Sequence, residues 1–363
     1  MADRSIRVAK SHLTGWLFCV LALCLVAACG GGRDAVQLAG ATMGTSWHVT
    51  YLPGAASGQG EPVDAETIRS LLEAELAAVD AGMSTWRDDS ELSAFNRAPV
   101  GEWVAVSEPL FAVVAQALAI GETTAGAYDV TVGPLVQLWG FGSHETPVAL
   151  PDDDKLAATR ERVGQQWLEV DPQGRALRKQ RPLELDLSSI AKGYAVDQLA
   201  AVLATRGIED YLVEVGGEMR LAGHSPRGDD WRVAVERPEA GLPRGVSAQS
   251  VALGLSLSDI AVATSGDYRN FFELEGRRYS HTLDPRTGYP VEHDLVSVTV
   301  LAPTCMEADG WATALVVLGA DAALALAEEQ GLAVYLLQRR GEDFVARHSS
   351  AFAPWLARSP ASA

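Results

Sequence analysis

Between Leu183 and Val202 the spacing of apolar residues changes from two to three and four, and this change constrains the fold more than any other stretch. Leu183, Leu185 and Leu187 alternate with Glu184 and Asp186, the period of a strand with one buried face. Ala191, Tyr194, Ala195, Gln198, Leu199 and Val202 then recur at helical spacing, which predicts a helix from near Ser188 or Ser189 to Gly207. A helix that opens on small residues presents unpaired N–H groups and the positive end of its dipole, so the junction DLSSIAKGYAVD (186–197) suits an anion such as phosphate. Lys192 adds a mobile positive charge one turn in, and Asp186 places a carboxylate at the strand end. The same stretch also fits an ordinary capped helix, because it contains neither a Walker loop nor GxGxxG.

The N-terminus reads as a processing signal. Arg4, Arg7 and Lys10 precede an apolar run over residues 13–28 that is short for a membrane span and ends in VAAC. Val26, Ala27 and Ala28 before Cys29 resemble a bacterial lipobox, in which cleavage leaves the cysteine as a lipidated N-terminus. The organisation expected is a signal peptide over 1–28, a lipidated flexible tether over 29–39, and a folded body over 40–350. No aspartate follows Cys29, which favours the outer membrane and a body facing the periplasm. Loss of the leader removes three basic residues and one acidic one, so the formal charge of −18 becomes about −20. Such a chain lacks the basic excess of a general nucleic-acid binder. Once Cys19 and Cys24 leave with the signal and Cys29 is lipidated, Cys305 alone remains; a disulfide and a cysteine zinc site are excluded by count.

Along the body, Trp47, Val49 and Tyr51 mark a first strand over 45–52, with Met43 and Gly44 just before it and a loop over 53–62. Helices are expected over 66–79, after Ser107, over 308–318 and over 322–329, with a short capped turn at Ser90 and a solvated helix or loop over 151–165. Hairpins are expected around Gln173–Gly174, around Glu275–Gly276 and over 334–345. Strands are expected at 211–218, 231–235, 251–262 and 295–301. The mixed order of strands and helices favours an α+β fold over a doubly wound sheet.

Four separated stretches carry more reactive residue types than a core requires. AGAYDVTVGP holds Tyr128 and Asp129 between small residues, and ATSGDYRN (263–270) reads as a turn after an apolar strand; each alone is equally a structural turn. SHTLDPRTGYP presents His281 and Asp284 on a loop stiffened by proline. EADGWATA places Asp309 and Thr313 four apart, on one face of a helix, where a carboxylate and a hydroxyl can meet one ion.

In order along the chain, MGTSW, MSTW with SELSAFN, GAYDVTVGPLVQLWGFG, LDLSSIAKGYAVD, VEVGGEM, ATSGDY, SHTLDPRTG and EADGWATA resemble the ApbE family, the FAD:protein FMN transferases, over roughly residues 40–320. The resemblance implies an α+β fold of mixed sheets and helices with a central FAD cleft and a magnesium ion beside the pyrophosphate. It places Met43, Trp86, Ala127, Tyr128, Asp129, Asp186, Lys192 and Leu283 around FAD. The metal would be held by Ser189, through its carbonyl, with Asp309 and Thr313. It implies transfer of FMN from FAD to a threonine hydroxyl of an acceptor protein, with release of AMP and with His281 as the base. The acceptor implied is a periplasm-facing redox protein. Two other readings remain: a FAD pyrophosphatase that releases free FMN, and a noncatalytic flavin-binding lipoprotein.

Overall fold

Strand pairing begins earlier than the sequence suggests. The structure is a computed structural model that describes residues 33–53, 64–142, 149–238, 251–266, 271–274, 276–341 and 343–358. The leader, Cys29, nearly all of the 53–62 loop, residues 267–270 and Glu275 lie outside these residues. Strand β1 (Val36–Thr42) pairs antiparallel with β2 (Thr45–Tyr51) through a turn at Met43 and Gly44, whose φ values are 44° and 72°. Residues 36–39, expected as tether, form part of β1: pairing with β2 engages one edge of their backbone and Leu38 enters the core. Past the expected end at 350, Phe352 is fully buried and a short helix, α9 (Ala353–Arg358), follows.

The main sheet has eight antiparallel strands in the order β1, β2, β6 (Tyr211–Val215), β7 (Glu218–Ala222), β10 (Ile260–Gly266), β13 (Leu295–Ala302), β14 (Ala333–Arg340) and β15 (Asp343–His348). Alternation holds where one face is covered, so Trp47, Val49 and Tyr51 of β2 are buried. Central β13 is buried along its whole length, because helices cover one face and a second layer covers the other.

Four helices build the first layer: α1 (Ala65–Met83), α6 (Ala191–Thr205), α7 (Cys305–Leu318) and α8 (Ala320–Gln330). Capping sets several helix starts. Asp64 accepts from Glu66 and Thr67 N–H, Ser90 from Ser93 N–H at α2 (Glu91–Arg97), Ser107 from Leu110 N–H at α3 (Glu108–Thr123), and Thr304 from Glu307 N–H at α7. The opposite layer is a ribbon of β8 (Trp231–Glu236) and β9 (Val251–Leu257) with α9, packed through Trp231, Leu257 and Phe352. The strand expected over 251–262 is thus two. It breaks at Ser258 and Asp259, where Asp259 is left-handed at φ 54°, sending β9 to β8 and β10 into the main sheet.

Smaller units complete the body. Strands β3 (Val104–Ala105), β5 (Ala176–Lys179) and β4 (Leu168–Asp171) form one sheet, and β4 and β5 are the hairpin expected around Gln173–Gly174. Helices α4 (Gly133–Leu138) and α5 (Asp153–Arg160) pack with the hairpin β11 (Phe271–Leu274) and β12 (Arg277–Ser280) around Leu135, Trp139, Phe272, Tyr279 and Leu283. The fold is α+β, as the element order implies.

Candidate active site

The period change at 183–202 is real in burial but not in hydrogen bonding. Leu183, Leu185 and Leu187 are buried, yet the segment makes no extended ladder; its backbone meets the 130–132 stretch through a bridge at Glu184 and through Asp186 N–H to Val130 C=O at 2.8 Å. The Asn96 side chain takes the place of a neighbouring strand, accepting from Leu185 N–H at 2.8 Å and donating to Leu185 C=O at 2.9 Å. Residues 188–190 then form a turn, and α6 begins at Ala191, two to three residues later than expected. Its first N–H groups are largely engaged: Ile190 and Ala191 donate to Leu187 C=O, Gly193 to Asp309, and Tyr194 to Ile190 C=O. Attraction for an anion at this junction must therefore come mainly from the Lys192 side chain and from any cation bound beside it, not from an open helix end.

Helices α6 and α7 complete one another. Asp309 on α7 accepts from Gly193 N–H of α6 at 2.9 Å, while Asp197 on α6 accepts from Cys305 and Met306 N–H of α7 at 3.0 and 2.9 Å. Glycine is required at 193, since a Cβ there would sit 2.3 Å from Cys305 C=O and 2.8 Å from Asp309 Cβ. Asp309 is 2% exposed; Oδ2 is committed to α6, and Oδ1 lies 3.9 Å from Lys192 Nζ. The ammonium instead pairs with Glu218 Oε1 at 2.6 Å. Burial pushes the Asp309 and Glu218 carboxyls up, against the pull of Lys192. Burial alone would lower Lys192, but Asp309 and Glu218 outweigh it and hold the ammonium above its ordinary value.

These groups line a cleft of about 650 Å³ between α6, α7, the β6–β7 turn, β8 and the loop after β12. Ser189 lies on its floor, where its hydroxyl meets the buried Tyr128 phenol at 2.9 Å; burial pushes that phenol up. Ala127 and Asp129 line the same side, and Asp129 is a knot in the turn: Oδ1 accepts from Thr131 N–H and hydroxyl, Oδ2 from Gln165 N–H, and burial raises the carboxyl. Asp186 also lines the cleft, with Oδ1 on Ser188 N–H. Thr313 contributes a hydroxyl that shares a hydrogen bond with Ser265 at 2.9 Å. Trp86, 68% exposed, stands at the mouth.

The opposite wall comes from the loop after β12. His281 and Leu283 line the cleft, with Phe141 edge-on to the imidazole at 6.3 Å between centroids. Asp284 is turned to structural use, accepting from Arg286 N–H and guanidinium. Trp139 Nε1 donates to Gly288 C=O at 2.8 Å and staples the loop to the end of α4.

Of the residues expected at the site, Met43 alone among the described ones does not line the cleft. Its left-handed turn sends the side chain against the main core. Thr264 and Ser265, expected in a turn, lie in β10, where Thr264 hydrogen-bonds Thr299 across the ladder at 2.8 Å. Sequence reading assigned no role to Glu218 or Glu214. Glu214 accepts from Gly217 N–H at 2.6 Å, fixing the glycine turn, and meets His48 Nδ1 at 2.6 Å. The signal available for Glu218 was a carboxylate opening a strand right after paired glycines.

Residues 43–336 match the ApbE family. The chain is 42% identical over 349 residues to the FAD:protein FMN transferase of Vibrio cholerae serotype O1, covering 95% of this chain and 100% of that protein. It is 40% identical to the FAD:protein FMN transferase of Escherichia coli K12, covering 89% of this chain and 90% of the relative. Among solved structures, the flavin transferase ApbE of Vibrio cholerae superposes with a TM-score of 0.80 at 42% identity, covering 89% of this chain and 99% of the other. The flavinyl transferase ApbE of Pseudomonas stutzeri, in its apo form, gives 0.80 at 37% identity, covering 91% and 99%.

Proposed function

The chain belongs to the ApbE family and is a FAD:protein FMN transferase, and on that premise we propose that it esterifies FMN to a threonine of an acceptor protein with the help of a magnesium ion. The observation that carries this reading is the convergence, in one cleft, of Lys192, Asp309 and Thr313 on one wall with His281 on the other, from stretches far apart in sequence.

The charge balance supports a cation. Lys192 is the one lysine or arginine among the described residues that line the cleft, against the carboxylates of Asp129, Asp186, Glu214, Glu218, Glu236 and Asp309. Such a surface repels a diphosphate unless positive charge arrives with it. The donors fit a hard ion: Asp309 has one oxygen outside hydrogen-bond reach of Lys192, and Thr313 can offer a lone pair while donating to Ser265. The Ser189 carbonyl would be the third protein ligand. No cluster of three or more His, Cys, Asp or Glu suited to a metal occurs among the described residues, so phosphate oxygens and water would complete the shell. When bound, the ion would neutralise charge on the diphosphate.

The residues then divide the work. His281 takes the proton from the threonine hydroxyl as its oxygen attacks the riboflavin-side phosphorus. The new O–P bond forms while the bond from phosphorus to the bridging oxygen breaks, and the electron pair departs on AMP. Lys192 stabilises charge on the phosphoryl oxygens. Trp86 and the Ala127–Tyr128 turn would hold the flavin and adenine ends. Incubating a threonine acceptor protein with FAD and magnesium tests the reading by mass spectrometry. The acceptor should gain one FMN, and excess chelator should stop the gain. Free FMN with an unmodified acceptor would mark a pyrophosphatase instead, and no turnover of FAD a binding protein.

The VAAC sequence supports a lipid anchor at Cys29 and a periplasm-facing body whose acceptors are redox proteins of the cell envelope. No helix among the described residues is long and apolar enough to cross a membrane. Cys29→Ser should release the protein from the membrane fraction; unchanged anchoring would end this assignment.

A further inference from the structure

Glu218 opens β7 directly after the Gly216–Gly217 turn and pairs across the hairpin with Val215, which is buried in the core beneath α6. Paired residues of antiparallel strands share a face, so this places a carboxylate on the helix side of the sheet. It is 4% exposed; Oε1 holds Lys192 Nζ at 2.6 Å, and no described residue donates to the buried Oε2. Asp309 Oδ1 stands 3.9 Å from the same ammonium. Two buried carboxylates thus share one lysine, and Glu218 has the closer contact. Lys192 is carried on a flexible four-carbon stem and is only partly buried, so its ammonium can swing to the next available charge when it loses its partner. Here that charge is the Asp309 oxygen otherwise open to a cation.

We propose that Glu218 is a positioning residue that keeps Lys192 off Asp309, so that Asp309 Oδ1 stays available to a divalent cation while the ammonium stays in place for the diphosphate. Its Oε2 is left to accept from a donor that enters with the ligand, such as water on the hydrated ion. The assignment rests on the reading of Asp309 as a cation ligand. It differs from a plain charge effect in one respect: the influence of Glu218 on cation binding must pass through Lys192.

A double-mutant cycle on the full-length protein, with Mn2+ alone as probe and paramagnetic resonance as readout, separates these roles. With Lys192 present, Glu218→Gln should weaken Mn2+ binding about tenfold. In the Lys192→Met background the same substitution should change it by less than about twofold. Thermal melts of all four proteins establish that the comparison is between folded states, and the isosteric Gln keeps the packing. Equal weakening in both backgrounds would overturn the proposal and leave Glu218 acting by charge alone, as would no weakening in either. Asp309→Asn should abolish the Mn2+ site. If it does not, the cation reading of Asp309 falls and Glu218 falls with it, whereas loss of the site together with additive effects removes only the role of Glu218.

Discussion

The wall that carries Lys192 and Asp309 is cut from the main core, whereas the wall that carries His281 hangs on a small aromatic cluster beside it. On the first wall charged side chains fix the geometry: Asp309 and Asp197 cross-cap two helices, and Glu218 holds Lys192. On the second, ring packing of Phe141, Phe272, Tyr279 and Trp139 carries a loop held by its own turn bonds, Asp284 N–H to Tyr289 C=O and Val291 N–H to Thr282 C=O, and by the indole bond to Gly288. The difference matches the two tasks. A diphosphate needs fixed charges whose reorganisation costs little during reaction. The base proposed at His281 would have to meet a protein substrate, a task suited to a loop rather than to the core.

Substitutions at three positions probe this division, beginning with the largest expected effect. His281→Ala should slow single-turnover FMN transfer by about 10²- to 10⁴-fold with FAD affinity and thermal stability nearly unchanged. His281→Asn retains hydrogen bonding without effective basicity and should be as slow; near-wild-type transfer by that variant would make the imidazole a loop strut. Gly193→Ala should do the reverse, acting on the fold. The new methyl has no room against Cys305 C=O, so the helices must part, at about 1–3 kcal/mol, read as a lower denaturant midpoint together with weaker FAD binding. Unchanged stability would mean that the α6–α7 contact is looser than its geometry.

The smallest effect lies at the rim of the first wall. The hydrogen bond that His48 donates to the Glu214 carboxylate holds the imidazole above its usual 6.5 despite partial burial. The pair therefore adds stability that is fully present below pH 6.5 and fades as pH rises through the folded-state value. The side chain of His48 is half exposed, so solvent screens the pair, and His48→Gln should cost well under about 1 kcal/mol at pH 5.5. The cost should vanish at pH 9. A loss of equal size at both values would show packing, not charge.

Much of the candidate site was legible because its residue types travel in short local signals. Lys192, Asp309, Thr313 and His281 each sit in a stretch whose composition marks it, and the cleft gathers them. What was not legible depended on partners distant in sequence. Alternation at Leu183–Leu187 predicted a strand because burial obeys that period; the partners are a short stretch of backbone at Val130–Val132 and a side chain, Asn96, which no periodicity announces. The late start of α6 follows from the turn at 188–190. Met43 precedes a strand as expected, but β1 takes up the chain before it and turns its side chain to the core. Glu218 looked like an ordinary hairpin residue until Lys192 was found against it.

The crossed carboxylates of α6 and α7 bear on how the protein comes to be folded. The first turn of each helix is completed by a residue more than a hundred positions away along the chain. Local hydrogen bonds serve part of each start, but Gly193, Cys305 and Met306 N–H wait for a partner far along the chain, and a long loop must close first. During synthesis, a nascent chain that has not yet emitted residue 305 has no Asp309 and no partner for Asp197. Affinity for the flavin nucleotide should therefore arise late and abruptly, after the last sheet strands beyond α7 have begun to dock, and shorter amino-terminal fragments should remain blind to FAD however much of the sheet they have formed.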